Sequence, residues 1–263
     1  MLPQSKFGYT LLFFILLVLH LIAGVYFDDY SMWWIALSVV AFLLICAAGS
    51  FFIGWNFYIK SQHKLPMLQL KFTGGKMHLE HTQNCVALTF DDGPAATTAA
   101  VLDILKKEKV PATFFLIGKH IEGNETIVKR MMDEGHKIGN HSFYHGVHFD
   151  WQSSRKMLEE MDRTNQAIEQ VTGNAAKLFR PPYGVTNPNL AKAINQSGLL
   201  SIGWSVRSKD TVAKNADELL CKICNNVKNR DIILLHDRCA ITVQILPTLI
   251  ASLKEKGFGF SLV

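Results

Sequence analysis

The chain predicts an α/β fold with a parallel sheet, preceded by a two-helix transmembrane hairpin, and three observations carry that reading. Of its 263 residues, the first 55 hold only Lys6, Asp28 and Asp29 as charged side chains, whereas the remainder is charged throughout. From Cys85 onward, short apolar runs of strand length alternate with longer stretches of helical period. Several of those runs end in acids, histidines or arginine, and the C-terminal ends of strands are where open α/β sheets and barrels place their chemistry.

The hairpin comes first. Residues 7–27 and 32–55 are each apolar for about 20 residues, the length that crosses a hydrocarbon core of ~30 Å. Tyr26, Tyr30, Trp33, Trp34 and Trp55 lie where an interfacial aromatic belt is expected. A cleaved signal peptide is the alternative for the first segment, but its apolar stretch is usually shorter and Ala23-Gly24 is a poor cleavage site. Asp28 to Ser31 allow only a tight connection, so both chain ends face the same side of a membrane. Lys6 before the hairpin and Lys60, Lys64, Lys71 and Lys76 after it favour a cytoplasmic C-terminal domain by the positive-inside rule.

Residues 56–82 read as a tether and a lead-in strand, and residues 83–263 as one domain. Strands are expected at Cys85 to Phe90, Ala112 to Ile117, Lys137 to Asn140, Lys177 to Arg180, Leu199 to Ser205 and Asp231 to Leu235. Helices are expected at Ala95 to Lys107, Glu125 to Glu134, Ser153 to Gln170, Asn187 to Gln196, Asp217 to Val227 and Ile241 to Lys256. Repeated βα units over this length imply a parallel sheet, open or closed into an irregular barrel with fewer units than the eight-fold form.

Setting aside Lys6, Asp28 and Asp29 leaves 26 basic and 20 acidic residues, a net charge of +6 over residues 56–263. That excess suits anionic lipid or an acidic polymer. No basic cluster is interleaved with aromatics, so a nucleic-acid partner is not expected. Cys221 and Cys224 lie inside a helical pattern without a second pair to complete a zinc cage, and read as packing residues.

The chemistry concentrates in a few short stretches. Asp91 and Asp92 close an apolar run that Gly93-Pro94 stops. His141 and His145 are four apart, which one helical turn would bring onto a common face. Two imidazoles and one carboxylate make a facial triad with open positions, the composition of a catalytic rather than a structural metal site. Successive side chains at a strand end project differently, so one acid is expected to bind the cation and the other to take a proton from water. His63, His78, His81, His120, His136 and His148 have no comparable partner. Arg180-Pro181-Pro182-Tyr183-Gly184 follows the fourth strand with a stiffened backbone whose Tyr183 and Gly184 amides suit an oxyanion, and Arg180 suits a bidentate grip on a carboxylate. His236 ends the last strand run and can reach the same mouth as general acid, with Asp210 a candidate to hold its ring. An aspartyl-phosphate reading of the acid pair fails, because Gly93-Pro94 displaces the second acid such a loop needs.

These patches, in this order, resemble the NodB-type polysaccharide deacetylases, carbohydrate esterase family 4, over roughly residues 83–263. Thr89 to Pro94 match the first motif, which implies Asp91 as base and Asp92 as metal ligand. Gly139 to His145 match the second, implying His141 and His145 as ligands. Arg180 to Gly184 match the third, implying that Arg180 steadies Asp91, that the Tyr183 amide helps hold the oxyanion, and that Pro181 borders the substrate. Leu234-Leu235-His236 match the fifth, implying Leu234 in the acyl-methyl pocket and His236 as general acid. The fourth motif departs: Asp210 is followed by Thr211 where the family usually has Trp, and Trp204 is a candidate to supply the missing aromatic wall.

The resemblance implies an irregular (β/α) barrel of about seven units, one divalent cation such as Zn²⁺ or Co²⁺, and hydrolysis of an N-acetyl group on an amino sugar of a cell-envelope polysaccharide. Family habit puts such domains outside the cell. The lysine count points the other way and raises a second reading, a deacylase of a lipid-linked sugar at the membrane surface. A third is a catalytically inactive, membrane-anchored sugar-binding module, prompted by Thr211.

Overall fold

In the computed structural model, the described residues are scattered positions between 14 and 22, then 32–73, 76–81 and 84–263. A helix α1 (Met32–Phe51) leads to an antiparallel pair, β1 (Leu68–Thr73) and β2 (Lys76–His81). The βα domain follows. Its strands are β3 (Cys85–Asp91), β4 (Ala112–Leu116), β5 (Lys137–Asn140), β6 (Leu178–Phe179), β7 (Leu200–Ser201), β8 (Val206–Arg207), β9 (Ile232–His236) and β10 (Gly259–Phe260). Its helices are α2 (Thr98–Glu108), α3 (Glu125–Asp133), α4 (Ser154–Thr172), α5 (Pro188–Ser197), α6 (Ala216–Asn226) and α7 (Ala240–Glu255).

The strand order is β7-β6-β5-β4-β3-β9-β8, every pair parallel, with β10 joining the start of β3. The sheet curls into an incomplete barrel whose two edges, β7 and β8, are consecutive in the chain yet unpaired. The gap is closed by an earlier segment. Gln62 bridges to Ile202 and Lys64 to Asp231, and Leu65, fully buried, plugs the interior against Ala87, Phe115, Leu178, Ile202 and Ile232.

Parity along β3 assigns its two faces. Val86, Leu88 and Phe90 point outward into the layer shared with Leu102, Leu246 and Leu249 of the helices, while Ala87 points inward. By the two-residue period of a strand, Thr89 and Asp91 also face the barrel interior. Buried on both faces, β3 reads as an unbroken apolar run rather than an alternation.

Capping explains the helix limits. The Ser153 hydroxyl accepts from the Lys156 amide and Gly173 ends α4 at φ 73°. The Asn187 carboxamide accepts from the Leu190 amide at 2.8 Å, Pro188 opens α5, and Gly198 ends it at φ 71°. Asn215 does the same for α6 through the Glu218 amide at 3.0 Å. All six expected helices of the domain occur within three residues of their expected starts. The strands β8 and β10 were not expected, and the Leu199 to Ser205 run shortens to β7.

The transmembrane hairpin is not supported among the described residues, where no helix is long and apolar enough to cross a membrane. The first expected span, 7–27, lies almost wholly outside them. The second forms α1, 20 residues without a charged side chain. It stops at Phe51, four residues short of the expected limit, and a short turn at Ile53–Trp55 follows with Ile53 buried.

Candidate active site

The mouth of the barrel, where the strands end, opens into a cleft of ≈ 570 Å³. Asp91 arrives there by strand parity. Asp92, the next residue, would point outward on a continuing strand, but its φ of 76° turns the chain so that its carboxylate also enters the cleft. Ser142, His145 and Tyr183 likewise adopt left-handed φ values of 64°, 50° and 58°. Non-glycine residues held there store strain, and such positions cluster at functional sites.

The histidine pair is not carried on a helical turn. His141 directly follows β5, and residues 142–145 form an irregular loop whose left-handed residues fold His145 back, leaving the two ring centroids 4.7 Å apart. Buried Glu160 of α4 pins this loop, accepting from the amides of Phe143 and Tyr144 at 3.1 and 3.0 Å. Asn140 adds a bond from the Ser142 amide at 2.9 Å. Glu160 escaped the sequence reading. Its signal is an acid on the same helical stripe as the buried Met157, Met161 and Thr164.

Asp92, His141 and His145 each offer one ligand atom, all within 4.8 Å of one another. Both histidine Nε2 atoms stand 3.6 Å from Asp92 Oδ1. His141 Nδ1 lies 2.7 Å from the Arg180 carbonyl, so Nδ1 carries the hydrogen and Nε2 keeps a free lone pair. Burial, reinforced by the His141 charge, pushes His145 down to about 4, so its ring is neutral near pH 7. Burial alone would raise Asp92, but His141, the Arg238 hydrogen bond, His236 and His145 outweigh it and hold the acid below its ordinary range. Two imidazole nitrogens and a carboxylate held ionised fit a divalent cation such as zinc.

Asp91 Oδ2 lies 3.8 Å from His141 Nε2, facing the triad, while its Oδ1 accepts from Arg180 Nη1 at 2.7 Å. Arg180 is wholly buried. It also donates to Thr89 Oγ1, Gly203 O and Ile202 O, and its guanidinium lies 4.1 Å from the Phe115 ring centroid. A charge buried this deeply is tolerated because every face of it is matched.

Across the mouth, His236 Nδ1 donates to Asp210 Oδ1 at 2.7 Å, and Asp210 Oδ2 accepts from the His236 amide and the Thr242 hydroxyl, both at 2.7 Å. Burial would lower His236, but the Asp210 hydrogen bond and charge, with Asp91 and Asp92 beyond, raise it. Asp210 is held low by the same contact despite its burial. The Asp210 carboxylate is thus committed to His236 although Thr211 follows it. Pro181, Tyr183, Trp204 and Leu234 all line the cleft. The Tyr183 hydroxyl reaches the His145 carbonyl at 3.5 Å, and Gly184 abuts Trp204 so closely that an added Cβ would stand 2.3 Å from its ring.

Two further residues join these. Arg238 Nε donates to Asp92 Oδ2 at 2.7 Å, leaving Oδ1 toward the histidines. It shares the period-two face of His236, the one sequence cue to it. His120, set apart in the sequence reading, lines the cleft with Nδ1 3.1 Å from the Asp92 carbonyl.

Residues 78–202 match the family model described as polysaccharide deacetylase. Among curated proteins, the chain is 37% identical over 180 residues to the peptidoglycan-N-acetylglucosamine deacetylase PgdA of Listeria monocytogenes, an alignment covering 68% of this chain and 38% of that protein. It is 34% identical to the putative polysaccharide deacetylase YheN of Bacillus subtilis, over 78% of this chain and 75% of that one. The structure of peptidoglycan deacetylase PdaC from Bacillus subtilis superposes with a TM-score of 0.65 at 32% identity, covering 69% of this chain and 88% of its own. With that identity over most of both sequences, this chain belongs to the polysaccharide deacetylase family.

Proposed function

We propose that this protein is a membrane-anchored, metal-dependent deacetylase that hydrolyses N-acetyl groups on amino sugars of a cell-envelope polysaccharide. The observation that carries the reading is the convergence in one cleft of a free carboxylate edge on Asp91, the Asp92, His141 and His145 donor set, and the His236–Asp210 pair. Asp92, His141 and His145 would hold one divalent cation, with zinc first by donor type. The chemistry supplied there on binding is polarisation of the amide carbonyl and acidification of water.

This chain's own residues then do the rest. Arg180 fixes Asp91 through Oδ1, so the Oδ2 edge is the one that takes the proton of the attacking water. With its Nδ1 given to Asp210, His236 presents Nε2 to the cleft and passes its proton to the departing nitrogen. The Tyr183 amide stabilises the oxyanion, while Leu234 borders the acyl methyl and Trp204 supplies an aromatic wall for the sugar. Water adds to the acyl carbon, the C–N bond breaks, and acetate and a free amine leave.

Helix α1 would hold the cleft at a membrane surface. A lipid-linked amino sugar is the second reading, favoured by the hydrogen bond from the Thr186 amide to the Ser50 carbonyl at 2.9 Å, which fastens the end of α1 three residues from Tyr183. An inactive sugar-binding module is disfavoured by the full set of paired groups.

Acetate release from a panel of N-acetylated sugars with Zn²⁺ or Co²⁺ tests the proposal. Asp91→Asn is expected to abolish turnover yet retain metal, and His141→Ala to lose both; normal turnover in Asp91→Asn would overturn the assignment. A cysteine-accessibility map of residues flanking α1 decides which side of a membrane the cleft faces.

A further inference from the structure

The walls of the cleft are electrically lopsided. Its lining contains four basic side chains, Lys119, Arg207, Lys209 and Arg238, against two acids, Asp91 and Asp92. Both acids are already matched, by Arg180 and Arg238. Lys119, Arg207 and Lys209 form no ion pair among the described residues, although all three border a concave site where charge acts more strongly than on open surface.

The cations are also segregated. Lys119 follows β4, Arg238 follows β9, Arg207 lies on β8 and Lys209 two residues beyond, so the basic side of the mouth spans the neighbouring strands β4, β3, β9 and β8. The strands β5, β6 and β7 are followed by Tyr144, Tyr183 and Trp204, an aromatic set that meets the basic one where Arg207 approaches Trp204. Aromatic faces suit sugar rings. The cations can donate to the hydroxyls of an uncharged sugar, but an oxyanion gives them a charge-assisted partner that such a sugar lacks. Two of them flank the point where the family pattern is broken: Arg207 and Lys209 stand beside Asp210-Thr211, where the family usually adds an aromatic side chain. Arg207 lies 5.8 Å from the Trp204 ring centroid, and Lys209 is held in a left-handed conformation at φ 65°.

We infer that the acylated amino sugar bound here carries an oxyanion, a phosphate or a carboxylate, on the same ring or the next, and that Arg207 and Lys209, with Lys119, select for it. The inference rests on the deacetylase reading of the same cleft and narrows its substrate class. Selectivity comes from ion pairing on the β8 side, and so is screened by salt.

The test uses the zinc-loaded full chain and three sugars: N-acetylglucosamine, N-acetylglucosamine 1-phosphate and N-acetylmuramic acid. Their Kd values are compared by calorimetry at low and high salt, with acetate release followed in parallel. At least one anionic sugar is expected to bind about tenfold more tightly than the neutral one, the gap closing at high salt. Which of the two is preferred identifies the oxyanion as phosphate or carboxylate. In the Arg207→Gln/Lys209→Gln double variant, whose side chains are exposed and whose urea unfolding checks the fold, the preference is expected to disappear. Equal binding of all three sugars overturns the inference. So does a preference that survives in the double variant, since Arg207 and Lys209 would then not select the anion. Acetate release without anion preference sinks the inference and leaves the deacetylase reading standing; anion-selective binding without acetate from any sugar does the reverse.

Discussion

Arg180 offers the sharpest test of how the site is held. Its guanidinium is fully buried and bonded to the Asp91 carboxylate at 2.7 Å, to Thr89, and to two backbone carbonyls of the β7–β8 connection. Replacing it by Met strands a buried carboxylate, which costs about 3–5 kcal/mol, and two carbonyls lose donors at about 1 kcal/mol each. The total is roughly 5 kcal/mol or somewhat more, a large part of a typical domain's stability. Asp91→Asn alone keeps the other three acceptors of the guanidinium and is expected to cost about 3 kcal/mol. Because both single variants lose the same ion pair, the double variant should cost about 5 rather than about 8 kcal/mol, a coupling near 3 kcal/mol. Urea unfolding followed by tryptophan fluorescence measures all three. Strict additivity, within about 0.5 kcal/mol, would show that the pair contributes nothing to the fold and would refute this account. The double variant should therefore be no less stable than Arg180→Met alone, and equally without turnover.

Three further outcomes follow from the same geometry. Asp210→Asn removes the partner that raises His236, so the alkaline limb of the pH–activity profile should move to lower pH. The stability sign agrees: a histidine raised on folding contributes below its unfolded value of about 6.5 and loses that contribution as pH climbs through the folded value, and this slope should flatten in the variant. Zinc at about a hundredfold excess over its Kd should stabilise the protein by about 2.7 kcal/mol, or roughly 5–10 °C in Tm, and His141→Ala should erase the shift; an equal shift in the variant would place the metal elsewhere. Gly184→Ala puts a Cβ 2.3 Å from the Trp204 ring at a φ of 72°, so a loss of about 1–3 kcal/mol, altered tryptophan fluorescence and a higher KM are expected together.

Much of this was legible because the signals are local. β5 matches its expected limits at both ends, Lys137 and Asn140, between the Gly135-His136 turn and His141. The helices were legible through Ser153, Asn187, Asn215, Gly173 and Gly198, which cap by chemistry rather than by context. β8 and β10, two residues each, were not, because they exist only by pairing with β9 and β3. The same holds at the site. Asp91, Asp92, His141 and His145 stood out as residue types at tight spacing, whereas the way His145 is delivered, by left-handed backbone rather than a helical turn, has no signature in residue identity. Arg238 and Glu160 act on partners 146 and 16–17 positions away, and only folding discloses such partners.

The stretch from Gln62 to Leu65 turns the connection between α1 and the barrel into a keystone rather than a leash. A shortened chain beginning after Leu65 would forfeit a wholly enclosed leucine, opening a void worth about 2–5 kcal/mol and leaving the β7 and β8 margins free to splay. Shortened versions should therefore start ahead of Asn56, whose carboxamide accepts from the Ser61 amide and meets His63, itself 3.3 Å from the Trp204 carbonyl. The stretch that leaves α1 is thus built into the barrel through its bridges to Ile202 and Asp231, so a displacement of α1 is carried to the strands rather than absorbed by slack.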